Sequence, residues 1–171
     1  FATARAYRDR VRAARGPEQG PHDFVLMGFV SFDDPGLAIY PPHRLLDMPA
    51  DFDEAAFVER LGECFDVGPV SGDLAEAVRA AEGCAMGLSV HGGGRYLLAL
   101  REEKREDLLA SDRAPAWKSL DVAVLHRGII ERILHLPETT QFTYEKSADR
   151  ALRRVESGEK GLVFLMRAVQ P

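Results

Sequence analysis

The pattern of apolar and polar positions divides this chain into short, well-punctuated segments. Residues 1–15 lack proline and are rich in Ala and Arg, and Gly16-Pro17 stops the run, so the pattern predicts a helix. Phe1, Ala4, Val11 and Ala14 can share one stripe of it. Arg5, Arg8, Arg12 and Arg15 recur at spacings of three and four and line another face. Phe24 to Phe32 is almost continuously apolar and reads as a buried strand. Asp33-Asp34-Pro35-Gly36 suits a type II turn, with Leu37 to Tyr40 returning as the second strand of a hairpin. Pro41-Pro42 ends the hairpin and leads into His43-Arg44.

Two marked helices follow. Phe52 precedes Asp53, a good N-cap, and Phe57 lies four residues into the helix, the layout of a hydrophobic staple. Phe57, Val58, Leu61 and Phe65 form its inner face. Asp73 and Glu76 have capping-box spacing, Leu74, Ala77, Val78 and Ala81 face inward, and Gly83 closes the second helix. Cys84 to Val90 and Arg95 to Arg101 read as paired strands around His91-Gly92-Gly93-Gly94. Residues 102–116 are charged and read as a surface excursion. Ser119 or Asp121 then caps a helix with Val122, Leu125, Ile129, Ile133 and Leu136 on its inner stripe, limited by Pro137. Gln141 to Lys146 reads as a strand, Ser147 to Glu156 as a capped helix ended by Gly158, and Gly161 to Val169 as a last buried strand.

These elements predict one α+β domain over residues 1–171. Its mixed sheet has two hairpins and about five helices packed on it, and closes with a β-α-β unit. A chain of this length buries about 70% of its unfolded surface, enough for a core without staples. Its 46% hydrophobic and 29% charged residues are those of a folded protein.

Charge sharpens the picture. The net charge of −5 argues against general affinity for nucleic acid or an anionic membrane. Residues 1–15 nevertheless carry +4 and the remainder −9. A basic first helix on an acidic body suits a local anion site or a contact with acidic surface. Cys64 and Cys84 lie in apolar settings and read as free buried thiols. No apolar run approaches the ~18 residues of a membrane span and no secretory signal is visible, which together suggest a cytoplasmic protein. The chain opens on Phe1, inside a helix-like run, so it reads as a piece excised from a longer chain, with flanking segments missing at both ends.

Candidate chemistry is sparse. The His91-Gly-Gly-Gly94 run resembles an esterase oxyanion segment, but no Gly-x-Ser-x-Gly elbow accompanies it, and a hairpin turn is the simpler reading. The five histidines have no metal-ligand spacing, so no metal is expected. Asp33, Asp34 and His43 could converge on a divalent cation, although Asp in a turn is explained by turn capping. His126 sits beside Val122, Ile129 and Ile130 and is either a half-buried structural histidine or a catalytic base. Arg5, Arg8 and Arg12 are either a solvated or paired face or an anion site. His43 and Arg44 follow two prolines at a strand end. They are either a preorganised phosphate or carboxylate site, with His43 catalytic and Arg44 gripping the anion, or a structural brace.

The stretch Phe29 to Leu45 (FVSFDDPGLAIYPPHRL) resembles the middle of a bacterial and archaeal family known as domain of unknown function 1015. That family shows Asp-Pro-Gly-Leu, an apolar pair, then Pro-Thr-His-Arg, and Pro42 stands here in place of the Thr. Leu120 to Ile130, Phe142 to Gly158 and Gly161 to Met166 are similar to further elements of the family. The resemblance implies a Gly-His-His-Arg turn just before Phe1 and a Pro-Pro-Lys-Ser-Thr segment after the last strand. That turn is similar to the phosphate-contacting turn of ParB-like proteins, whose superfamily includes nucleotide-using enzymes and a free-serine kinase. The expectation is therefore part of a phosphotransferase-like enzyme acting on a small phosphorylated or anionic substrate, with a nucleotide as a possible cofactor and this piece inactive alone. The alternative is a non-catalytic structural or interaction module that packs on the rest of its chain or on a partner subunit, a second copy of the chain (a homo-oligomer) being one such partner.

Overall fold

The computed structural model describes residues 2–31, 34, 36, 39–110 and 112–168. The chain divides into two compact units, Phe1–Ala38 and Ile39–Pro171. In the first, helix α1 spans Ala2–Arg15 and a single 3-10 turn follows at Pro21–Asp23. Asp23 closes that turn. It accepts the Gly20 N–H over 2.9 Å and pairs with Arg12 over 2.7 Å. Of the strand expected over Phe24 to Phe32, the described residues 24–31 form none. Residues 24–31 carry no regular structure and are exposed, with Leu26 fully so and Phe29 91% exposed. A strand needs a partner for its N–H and C=O groups, and no other strand lies among the described residues of this unit. Asp33, Pro35 and Leu37 of the expected turn and return strand fall outside the described residues.

The second unit is built on a six-stranded sheet: β1 His43–Leu46, β2 Phe65–Pro69, β3 Ala85–Val90, β4 Arg95–Leu100, β5 Thr143–Glu145 and β6 Leu162–Leu165. The order is β2-β4-β3-β6-β1-β5. Every neighbouring pair is antiparallel, which corrects the expected mixed sheet within a correct α+β class. The closing β-α-β unit explains how both readings arise. β5 and β6 flank β1, each antiparallel to it, and so run parallel to one another without touching. The helix α7, Ala148–Glu156, links them. The β3–β4 hairpin turns at His91-Gly-Gly-Gly94 as expected.

Strand alternation sends successive side chains to opposite faces, and each face is covered. On one, Leu45, Val163 and Leu165 meet α7 and the helix α3, Leu74–Ala80. Gly87 of β3 belongs to this face, where a Cβ would come within 2.9 Å of Leu74 Cγ; its absence lets α3 lie close. On the other face, Leu46, Met86, Leu88, Leu98 and Phe164 meet α2, Glu54–Leu61, and α4, Arg105–Leu109. The expected surface excursion thus contains a core anchor, since Leu108 and Leu109 are buried.

The same face receives the helix read from Asp121 onward. It starts as one α-turn, α6, at Asp121–Ala123, after the short α5, Pro115–Lys118, and then widens into a ten-residue π-helix, Val124–Ile133. Leu134 N–H reaches the Ile129 carbonyl over 2.8 Å, five residues back. π-Helices occur mostly as single turns, often at functional sites. The wide turn broadens the buried stripe: Val124, Gly128 and Ile130 join the expected Leu125, Ile129 and Ile133. Leu108 fills the space left by the missing Cβ of Gly128.

Candidate functional site: a histidine held by a buried arginine

β1 begins after Pro41-Pro42, and its first two residues part company. His43 and Arg44 are consecutive in a strand, so they face opposite sides of the sheet. The pair expected to act together is separated. Arg44 is brought instead to His126 of the π-helix, with Nε donating to His126 Nε2 over 2.8 Å. Its Nη1 donates to the Pro42 carbonyl over 2.8 Å, folding the guanidinium back on the proline corner.

β5 completes the surroundings. Tyr144 is the register partner of Arg44, so the two share a face, and the guanidinium carbon lies 5.5 Å from the Tyr144 ring centre. Phe142, two residues earlier, presents its ring edge-on to His126 at 4.7 Å. Arg44 is only 7% exposed. Burial lowers its proton affinity, opposed by Tyr144, but a guanidinium remains charged at any physiological pH. His126 is pushed below the usual imidazole range, first by burial and then by the Arg44 charge, with Glu131 acting the other way. The ring is therefore neutral near pH 7. Because Nε2 accepts from Arg44, the single ring proton sits on Nδ1.

His126 and Phe142 form one wall of a cleft of about 780 Å³. Trp117, Arg113, Arg127, Glu131 and Glu138 contribute to the rest. The volume is that of a small-molecule site. Arg113 lies over the Trp117 ring at 5.9 Å, and Arg127 pairs with Glu131 one turn along the helix. Sequence reading missed these residues. The Arg127/Glu131 spacing and the single Trp were visible signals, but only the fold places them around His126.

The chain belongs to the DUF1015 family. The family described as a protein of unknown function, DUF1015, matches residues 1–123 of the 171. No curated protein and no solved structure matches the chain. The matched part of this DUF1015 chain holds Phe29 to Leu45 and with it Arg44, and it ends three residues before His126.

The remaining predicted residues lie elsewhere. His43 is buried, and its Nδ1 accepts the Met166 N–H over 3.1 Å. Burial lowers its proton affinity and Glu145 opposes that. In the first unit, Arg8 pairs with Asp9 and Arg12 with Asp23. Arg5 and Arg8 border a shallow cleft of about 330 Å³ beside His22 and Phe24. Asp33, offered with Asp34 and His43 for a cation, is outside the described residues. Among the described residues no cluster of three metal-ligating side chains occurs. Both cysteines are free. Burial, then Asp121, pushes the Cys84 thiol up to about 12, which disfavours the thiolate form. Among the described residues no helix is long and apolar enough to cross a membrane.

Proposed function

We propose that this chain supplies the substrate cleft of a cytoplasmic bacterial enzyme, phosphotransferase-like, that acts on a small phosphorylated or otherwise anionic molecule. The observation that carries this reading is the Arg44–His126 bond at the wall of the 780 Å³ cleft. Arg44 is a positioning residue in it. By occupying Nε2, it presents Nδ1–H as the histidine's donor, suited to a phosphoryl or carboxylate oxygen on which charge develops. Cations and carboxylates both line the cleft, which fits a substrate carrying both signs, such as a phosphoamino acid. The Trp117 ring with Arg113 over it suits a nucleobase and its phosphates, so a nucleotide is the cofactor this reading favours.

The test is ligand-induced stabilisation, with phosphoserine, ADP and ATP as probes. Ligand at 100 times its dissociation constant adds about 2.7 kcal/mol, a shift of several degrees in melting temperature. His126→Phe should abolish the shift. No shift with any of the three probes, or an equal shift in His126→Phe, would end the proposal.

A non-catalytic module is the second reading, favoured by the exposed apolar run at Phe24, Leu26 and Phe29. It predicts a homo-oligomer by light scattering that Leu26→Asp dissociates.

A further inference from the structure

The face of β1 opposite Arg44 holds a second cavity, of about 510 Å³, bordered by α3, the start of α7 and the residues after β6. Ala75, Val78, Ala148 and Leu165 make its walls apolar, while Arg79, Lys146 and Arg167 are its charged members. No acidic residue lines it among the described residues. Arg167 is committed elsewhere, to the Ala81 carbonyl over 3.0 Å and to Asp121 over 3.3 Å. Arg79 and Lys146 are both exposed, and neither has a carboxylate partner among the described residues. Lys146 lies over the Tyr40 ring at 5.0 Å.

His43 supplies the observation that points to a ligand. It lines this cavity at 3% exposure. Its Nδ1 is an acceptor for Met166 N–H, so its proton sits on Nε2. Nε2 has no hydrogen-bond partner among the described residues. Glu145, the acid that acts on His43, turns its Oε1 to the N–H groups of Lys146 and Ser147 at 2.9 and 3.1 Å. Nε2 is not sealed off: it stays open to the cavity, where an incoming oxyanion would accept its hydrogen bond in place of water.

The geometry points to a second ligand site here, for a carboxylate or phosphate head on a short apolar body. The head meets His43 Nε2–H, Arg79 and Lys146; the body lies on Val78, Ala148 and Leu165. This site is on the other side of the sheet from the His126 cleft and stands whether or not that cleft is catalytic.

The test titrates the isotope-labelled chain with hexanoate and, separately, butyl phosphate, following backbone amides by nuclear magnetic resonance. Saturable shifts at Ala75, Met166 and Ala168 are expected with at least one probe, and the tighter probe identifies the head group. The exposed double substitution Arg79→Gln with Lys146→Gln should weaken binding by about tenfold or more. Arg127→Gln, in the other cleft, should leave it unchanged, and hexylamine should leave these amides unmoved. The site is refuted if both anions leave those amides unmoved, if hexylamine binds as tightly as hexanoate, or if the double variant binds as tightly as the parent.

Discussion

Arg44 and His126 stand 82 residues apart in the chain and meet through one hydrogen bond of 2.8 Å, Arg44 Nε to His126 Nε2. The bond ties β1 at the sheet to the π-helix lying over it. It places a permanent cation against a neutral imidazole in a half-buried setting.

Removing the arginine should therefore cost more than a surface ion pair would. Arg44→Leu leaves the Pro42 carbonyl and His126 Nε2 without their donor, a loss of about 2–4 kcal/mol. Arg44→Lys should not rescue it, since one ammonium cannot serve both acceptors with the fixed fork of a guanidinium. Urea denaturation of the single variants and of Arg44→Leu with His126→Phe checks this. Additive losses in the double variant would show that the bond contributes nothing.

Acid should loosen the same element. His126 and His43 both have proton affinities lowered in the fold from the ordinary value of 6.5. Below that value the unfolded chain binds more protons than the folded one, so stability rises with pH. Their contribution is fully present above pH 6.5 and is lost as pH falls from there through the folded values. Around His126 the charged groups are Arg44, which deepens the effect, and Glu131, which moderates it; around His43 it is Glu145. Melting temperature measured from pH 7.5 to 5 should fall, and His126→Gln should flatten part of the slope. A flat profile in the parent protein would contradict the assignment.

Local signals proved legible where one short stretch decides the outcome. Asp53 caps α2 through the Ala56 N–H at 3.2 Å, and Phe52 packs on Phe57 with ring centres 5.5 Å apart, the staple its spacing announced. Ser147 caps α7 and Gly158 adopts positive φ after it, for the same reason. Strand partnership was not legible, because it depends on residues far away. The run at Phe24 has the composition of a core strand but no strand to pair with among the described residues of its unit. For the site, the sequence offered Arg44 and His126 singly. It could not show that alternation along β1 would send His43 to the other face and leave Arg44 facing the π-helix.

The α3 cap gives a smaller, cleaner prediction. Asp73 accepts from the N–H groups of Ala75 and Glu76 at 2.8 and 3.1 Å, satisfying two otherwise unpaired donors. Asp73→Ala should cost about 1 kcal/mol, and Asp73→Ser much less. Because α3 packs on Gly87 and Leu45, the loss should appear in global unfolding rather than as local fraying. Equal stability of Asp73→Ala and the parent in urea would show that the cap is redundant.

Gly161 is the position least able to accept a side chain. It enters β6 with its N–H donated to the Leu46 carbonyl and its own carbonyl accepting the His91 N–H, both at 2.8 Å. A Cβ there would fall inside the van der Waals contact of Met48 N and Cα, which are backbone atoms. The clash cannot be relieved by a rotamer change, and moving the strand would break one of the two hydrogen bonds that join β1, β3 and β6. Gly161→Ala should thus destabilise by more than about 2 kcal/mol. Gly68, on the exposed edge strand β2, is the matched control: nothing lies within 4 Å of its Cβ position. Gly68→Ala should be neutral or slightly stabilising, since alanine narrows the unfolded ensemble. Melting temperatures of the two variants decide the point, and comparable values would mean that the Met48 contact yields.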